Sequence, residues 1–329
     1  MNTGQPRICV VHTGGTIASK FNPAEAAWQS VASAEEIANS VPDVSDLAEL
    51  SFVEHSQVNG YRITSPVVFG LCQRVRQIVA NPKVDGVVIV HGTATLEETA
   101  YMLDLTVSTE KPIVCTAAQR RFDDLGSDGP SNFLYAVRAA ACAESVNRGV
   151  MVAFDGQLHS ARDVTKMHPQ ALTAFGARDG GAIGFSGKND VIYWSRPERR
   201  IHLNVEAIKE DVQLIKMAQG ADDLLVRACL GAAVSGIVVE GISGGHVTDK
   251  AFYALLDAIN AGIPVVVTPR TFSGDTAGEY AHPGSNLRLR QAGAINARFL
   301  SANKARILLM VALGKTTNFE ELSEIFSKA

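Results

Sequence analysis

Four short runs rich in β-branched residues, Ile8–His12, Gly86–His91, Pro112–Thr116 and Val150–Phe154, alternate with helical patterns through the first part of the chain. This alternation constrains the fold more than any other feature. It predicts βαβ units and a mostly parallel sheet, because a parallel neighbour needs a long crossover, usually a helix. Between the first two runs, TSPVVFGLCQRVRQIVA places Val67, Leu71, Val75, Ile78 and Val79 at helical spacing behind Thr64-Ser65-Pro66. A second helix is expected after HGTATLEET, where Thr95 and Glu98 have the spacing of a capping box.

A chain of 329 residues exceeds what one ordinary core holds, roughly 250–300 residues, and suits two domains. Near SRPERRIHLNVEAIKED the apolar runs give way to Pro197, three arginines and alternating charges, the signature of a linker. Strand-like VQLIKM, GIVVEG and IPVVVT then alternate with the helix patterns ADDLLVRACL and DKAFYALLDAIN. The final pattern, TNFEELSEIFSK, puts Phe319, Leu322, Ile325 and Phe326 on one helix face. The expected fold is therefore α/β, with mostly parallel sheets in two unequal domains. The boundaries read as 1–195 for the larger, 196–211 for the linker and 212–329 for the smaller.

Hydrophobic residues make up 46% and charged residues 19%, a globular composition. A net charge of −4, with no local block of Lys and Arg, gives no footprint for nucleic acid or an anionic membrane, so a small-molecule partner is expected. The five cysteines, Cys9, Cys72, Cys115, Cys142 and Cys229, are widely spaced and odd in number. They read as buried free thiols of a reducing compartment. The start, MNTGQPRICVVHTGG, lacks the apolar stretch of a signal peptide, and no stretch approaches the ~20 apolar residues of a membrane span. The expected location is the cytoplasm.

In open α/β sheets ligands bind where strands end, and four polar segments occupy such places: TGGTIAS (13–19), HSQVNG (55–60), HGTATLEET (91–99) and ARDVTKMH (161–168). Alone each is weak. TGGT has neither the spacing of a dinucleotide-binding loop nor the Gly-Lys-Ser/Thr of a phosphate loop, and it reads equally well as a tight turn. HGT reads equally as a capped helix start, and Lys166 as a solvated lysine. No H-E-x-x-H, Cys/His cluster or carboxylate cage points to a metal.

Taken together, TGGTIA, HGTATLEETA, RDVTK and SDGPSN, followed by GIVVEG and KARILL in the second domain, resemble the bacterial asparaginase/glutaminase family of amidohydrolases over nearly the whole chain. The resemblance implies that Thr16 is the nucleophile, attacking an amide carbonyl to form an acyl-enzyme. Gly14 and Gly15 would let substrate and backbone approach closely, with backbone N–H groups stabilising the oxyanion. Thr93 and Lys166 would form a second polar set, Lys166 activating a hydroxyl or water as a desolvated amine. Ser56 and Gln57 would hold the substrate's α-carboxylate. The resemblance also implies no cofactor, intimate dimers with sites formed between subunits, and a homodimer or homotetramer.

Three departures alter what carries over. Where the resemblance implies an aspartate that binds the substrate's α-ammonium and partners the lysine, this chain has Ala94. The loop after TGGT has no tyrosine between Ile17 and Val41, and Trp28 lies near the expected place. The second-domain segment EGISGGHVTD offers His246 in the region of the family's asparagine. The expected site thus has Thr16, Thr93 and Lys166 as catalytic residues, with Gly15, Ser56, Gln57, Gly92, Ala94 and His246 around the substrate. Lys166 is expected to lack a neighbouring carboxylate. Arg288 and Arg290 are read as one face of an extended segment, either a solvated edge or a site for a second polar group. Tyr61 is expected to pack locally, the alternative being a substitute for the missing loop tyrosine.

The expected activity is release of ammonia or an amine from a small amide, with recognition altered from free asparagine. Candidate substrates are amides of dicarboxylic acids, N-substituted asparagines or glutamines, and cyclic imides or lactams. The competing readings are a residual L-asparaginase/glutaminase and a non-catalytic metabolite-binding homologue.

Overall fold

The computed structural model describes residues 4–198 and 200–329. The chain divides into two compact units, Met1–Glu198 and Arg199–Ala329. The described residues of the expected linker, 196–198 and 200–211, carry no helix or strand.

In chain order the strands of the first unit begin with β1 (Arg7–His12), the hairpin β2 (Ser19–Asn22) and β3 (Ala27–Ser30), and β4 (Glu49–Glu54). They continue through β5 (Gly86–Val90), β6 (Ile113–Thr116), β7 (Val150–Phe154) and β8 (Gln157–Ser160). A small ribbon of β9 (Val164–Lys166) and β10 (Phe175–Ala177) precedes β11 (Gly184–Ser186) and β12 (Val191–Tyr193). Its helices are α1 (Ala34–Asn39), α2 (Val44–Leu47), α3 (Ser65–Ala80), α4 (Leu96–Thr106) and α5 (Gly129–Ala141).

Eight of these strands form one sheet in the order β12-β11-β8-β7-β6-β5-β1-β4. The five from β4 to β7 are parallel. The other three add antiparallel. On one face Ile8, Val10, Val88, Val90 and Val114 pack with Phe133, Ala136 and Val137 of α5 and Ile37 of α1. The alternate residues Cys9, Val11, Val87 and Ile89 are buried too, and they face the side that α3 and α4 cover. Both faces being covered explains the unbroken apolar runs. Burial of each such side chain contributes about 1.5–3 kcal/mol.

From β1 the chain first adds β4 on one side and then crosses to add β5 on the other. The loops leaving β1 and β5 therefore part at a topological switch point, where open α/β sheets bind ligands. TGGT follows β1 and HGT follows β5, with His12 and Val90 paired at the strand ends.

The structure differs from expectation in several details. β4 falls outside the expected strands, because at the sheet edge it alternates exposed and half-buried residues and has no continuous apolar run. The capping box of α4 does not form, since Thr95 Oγ1 donates to Gly60 O at 2.9 Å instead of capping its own helix. ARDVTKMH contributes its own strand, β9, rather than only following one.

The second unit contains β13 (Val212–Lys216), α6 (Leu224–Gly231), β14 (Gly236–Gly241), α7 (Asp249–Asn260), β15 (Val265–Pro269), α8 (Asn286–Gln291), β16 (Ile295–Asn296), α9 (Ala302–Leu313) and α10 (Phe319–Lys328). Its four strands are parallel and adjacent in chain order. Val226 and Cys229 of α6 and Ala251 and Leu255 of α7 join Ile237, Val239, Val265 and Val267 in one core. Arg288 and Arg290 lie on α8, not on an extended segment. Ser285 caps that helix by accepting from Arg288 N, and burial of Leu289 anchors it. Both arginines are exposed, with Arg288 donating to Ala281 O and Gln291 Oε1.

All five cysteines are free thiols, four buried and Cys142 half-buried. No helix of the described residues is long and apolar enough to cross a membrane.

Candidate active site

Three loops meet through glycine backbones. Gly15, at φ +98°, lies so close to Gly92 that a Cβ on it would overlap Gly92 Cα and N. A Cβ on Gly92 would in turn stand 2.8 Å from Gly60 N and 2.9 Å from Gly60 Cα. The corner is fastened from several sides. Thr13 donates its N–H and its hydroxyl to Val90 O, and Ser19 Oγ donates to Gly15 O at 3.0 Å. His91, fully buried, bonds Gly92 O through Nδ1 at 2.8 Å and Thr99 Oγ1 through Nε2 at 3.0 Å. A carbonyl only accepts, so Nδ1 carries the proton and Nε2 accepts from Thr99. Burial pushes the His91 pKa down to about 4.

The corner borders a cavity of about 240 Å³. Thr16 opens a single 3-10 turn, Thr16–Ala18, immediately after Gly15 and is half-buried. It shares the cavity with Gly92, Thr93 and Ala94 from the opposing loop and with Asn59, Gly60 and Tyr61 from the third. Ser19, Trp28 and Arg121 complete the lining. The volume falls below the ~300–1,000 Å³ of drug-sized sites and suits a small metabolite.

Behind Thr93 lies a compact polar network. Lys166 Nζ donates to Thr93 Oγ1 at 2.7 Å and to Gln119 Oε1 at 3.2 Å. Thr93 donates to that same Gln119 oxygen at 3.2 Å, while Gln119 Nε2 donates to Ala171 O. Lys166, at the end of β9, thus reaches a hydroxyl that is 6% exposed and faces the cavity. Desolvation holds the lysine pKa below its ordinary value, and the negative charge of Glu97 opposes the shift. The expectation of no nearby carboxylate is therefore corrected. Glu97, buried in the first turn of α4, accepts the Lys166 backbone N–H at 3.3 Å. Its Oε2 has no hydrogen-bond partner among the described residues.

The remaining sequence candidates are placed differently. Ser56 Oγ donates to Thr13 O at 3.1 Å, Gln57 is exposed, and neither borders the cavity. Tyr61 does not pack locally; it stands 74% exposed at the cavity rim. Trp28 sits on β3, paired across the hairpin with Phe21. His246 belongs to the second unit, where its Nδ1 accepts the N–H of Asn286 and its ring lies 5.7 Å from that of Tyr280. Among the described residues no three His, Cys, Asp or Glu side chains gather as a metal-binding group.

Sequence reasoning missed Gln119 and Arg121. Both follow β6 in the segment TAAQRRFDD, so the rule that drew attention to the ends of β1 and β5 applies equally there. Arg121 places its guanidinium 3.8 Å over the Trp28 ring.

Residues 7–199 match the family described as "Asparaginase, N-terminal", and residues 211–326 the "Glutaminase/Asparaginase C-terminal domain". The chain is 32% identical to L-asparaginase 2 of Bacillus subtilis over 98% of its own length and 86% of that protein. It is 32% identical to the glutaminase-asparaginase of Acinetobacter glutaminasificans, covering 97% of this chain and 98% of the relative. A crystal structure described as a "Probable Cytoplasmic L-asparaginase" from Campylobacter jejuni superposes with a TM-score of 0.89 at 29% identity, over 99% of this chain and all of that one. With both domains matched and the switch-point loops in place, the chain belongs to the asparaginase/glutaminase family of amidohydrolases, enzymes that act on carbon–nitrogen bonds.

Proposed function

We propose that the chain hydrolyses a small amide other than free asparagine, with Thr16 as nucleophile. One observation carries this reading. Thr16 and Thr93 share a cavity with Lys166 bonded behind Thr93, yet position 94 is an alanine and Lys166 Nζ rests on the neutral Gln119. The groups suited to acyl transfer are present, and the carboxylate that would hold an α-ammonium is absent.

In the proposed reaction Thr16 Oγ bonds the amide carbonyl carbon, and backbone N–H groups of the glycine corner face the oxyanion. The C–N bond breaks, and the nitrogen leaves as ammonia carrying the hydroxyl proton of Thr16. Water then attacks the acyl ester, giving a carboxylic acid and restoring the threonine. Thr93, hydrogen-bonded to Lys166, is suited to orient that water and to pass its proton to the Lys166 amine, which returns it to the departing Thr16 oxygen. A cytoplasmic location accords with the free thiols and with the name of the Campylobacter relative. Assembly into homodimers or homotetramers belongs to the same reading.

The test is ammonia release from a panel of amides by the purified chain and two variants. Thr16→Ala is expected to lower kcat by orders of magnitude with little change in binding and an unaltered circular-dichroism spectrum. Wild-type kcat in that variant would refute the nucleophile. Ala94→Asp is expected to raise kcat/KM for L-asparagine and lower it for the best panel substrate, since a buried carboxylate favours only a ligand that brings a matching charge. A wild-type enzyme that already prefers L-asparagine would show a residual asparaginase instead.

A further inference from the structure

Position 94 in the cavity lining is an uncharged alanine, and Arg121 brings a positive charge. Among the cavity's lining residues Arg121 is the charged one. It stands on the same wall as Trp28, whose ring it covers, and that stack holds a planar guanidinium in place while its N–H edges stay available. Its backbone is tied down independently. Arg121 N donates to Asp124 Oδ2 at 2.9 Å, and the adjoining Phe122 N donates to Ser19 O at 3.1 Å, three residues after Thr16.

The guanidinium itself makes no hydrogen bond among the described residues. Its nearest carboxylate oxygen, Asp124 Oδ1, is 3.7 Å from Nη1, a loose ion pair beyond hydrogen-bond length. The residues expected to take a substrate carboxylate, Ser56 and Gln57, lie outside the cavity lining, and the Ser56 hydroxyl is given to Thr13 O. Among the described residues that line it, the cavity therefore has one cation with donors to spare, no carboxylate, and two threonine hydroxyls.

We propose that Arg121 receives a carboxylate of the substrate, so that the amide hydrolysed is the monoamide of a dicarboxylic acid with no ammonium facing Ala94. The inference rests on the amidohydrolase reading of Thr16 and adds the substrate class. A guanidinium matches a carboxylate in a two-point, planar contact, which fixes the distance from the anion to the reacting carbonyl. The reaction consumes the monoamide and water and yields the dicarboxylate and ammonium, with no further reactant.

The experiment measures kcat/KM by ammonia release for succinamate, butyramide and L-asparagine in the full-length wild type and in Arg121→Met, whose apolar side chain can still pack on Trp28. Calorimetry on the same proteins measures succinate affinity. Wild type is expected to prefer succinamate to both other amides. In Arg121→Met the succinamate-to-butyramide ratio should fall about 10- to 100-fold, the size of a lost charge-assisted hydrogen bond. Succinate affinity should fall in parallel. An unchanged ratio with unchanged succinate affinity overturns the proposal, as does a wild-type preference for L-asparagine. Failure of the underlying reading looks different: Thr16→Ala would still release ammonia, while the loss of succinate affinity in Arg121→Met would stand.

Discussion

At Lys166 two influences oppose each other. Burial favours the neutral amine, whereas the charge of Glu97 favours the ammonium, and burial prevails. A base with a lowered pKa is neutral over more of the accessible pH range, so turnover should rise with pH as the amine loses its proton and level off below the ordinary lysine value. Lys166→Met should lower kcat by about 10²–10⁴, the usual contribution of a general acid–base group, with a smaller effect on KM. It should also remove that limb of the pH–rate profile. A variant that kept both kcat and the limb would exclude the amine from proton transfer. Of this candidate site, Thr16, Thr93 and Lys166 could be named from sequence only because their motifs, each weak alone, together resemble one family. Gln119 was not, because it meets Thr93 and Lys166 across 26 and 47 residues of sequence, and glutamine after a strand carries no signal by itself.

At the scale of elements, the spacing of the two threonine loops is set by strand pairing and by glycine contact. Neighbouring strands lie about 4.8 Å apart, and the loops leaving β1 and β5 approach as closely as Gly15 and Gly92 permit. Gly92→Ala puts a methyl against the Gly60 backbone, which cannot yield as a flexible side chain would. The expected loss is about 1–3 kcal/mol, the range for overpacking. Activity should fall more than tenfold even where the fold persists, because misplacing reacting groups by an ångström is costly. Gly231→Ala, at the end of α6 with nothing near its Cβ position, is the comparison and should leave both measurements intact. Equal behaviour of the two variants in calorimetry and turnover would remove the corner's special status. The buried parallel strands and the helices α3, α6, α7 and α10 could be read from pattern, since hydrophobic periodicity marks them directly, whereas α9, buried on nearly every side, shows no such period. The edge strand β4 and the short β8, β11 and β12 could not, as they span only three to six residues and carry no continuous apolar run. Arg288 and Arg290 misled for a related reason: two charges at i and i+2 suggest a strand face, but the Ser285 cap and the buried Leu289 decide for a helix.

For the whole molecule, the buried histidines set a response to acid. His12 and His91 both have pKa values held below the ordinary one by desolvation, although Glu54, 2.7 Å from His12 Nδ1, pulls the other way at His12. The unfolded chain takes up these protons near pH 6.5, the folded His91 only near pH 4. Stability from His91 is thus complete above about pH 6.5 and is lost as pH falls toward 4, by up to about 1.4 kcal/mol per pH unit. Thermal midpoints measured from pH 7.5 to 4.5 should drop less steeply in His91→Gln than in wild type, whatever the difference between their starting values. Parallel slopes would show that His91 does not set the acid limit. One more consequence belongs to the stack of Arg121 on Trp28. It joins a hairpin, β2–β3, that forms its own small sheet to a segment, 117–124, with neither helix nor strand. Neither belongs to the eight-stranded ladder that carries the threonines. If Arg121 selects the substrate as proposed, the selecting wall is built outside that ladder yet borders the catalytic groups on both sides, Thr16 standing three residues before the hairpin and Gln119 two before Arg121, so a change in either loop would be felt by selection and turnover together.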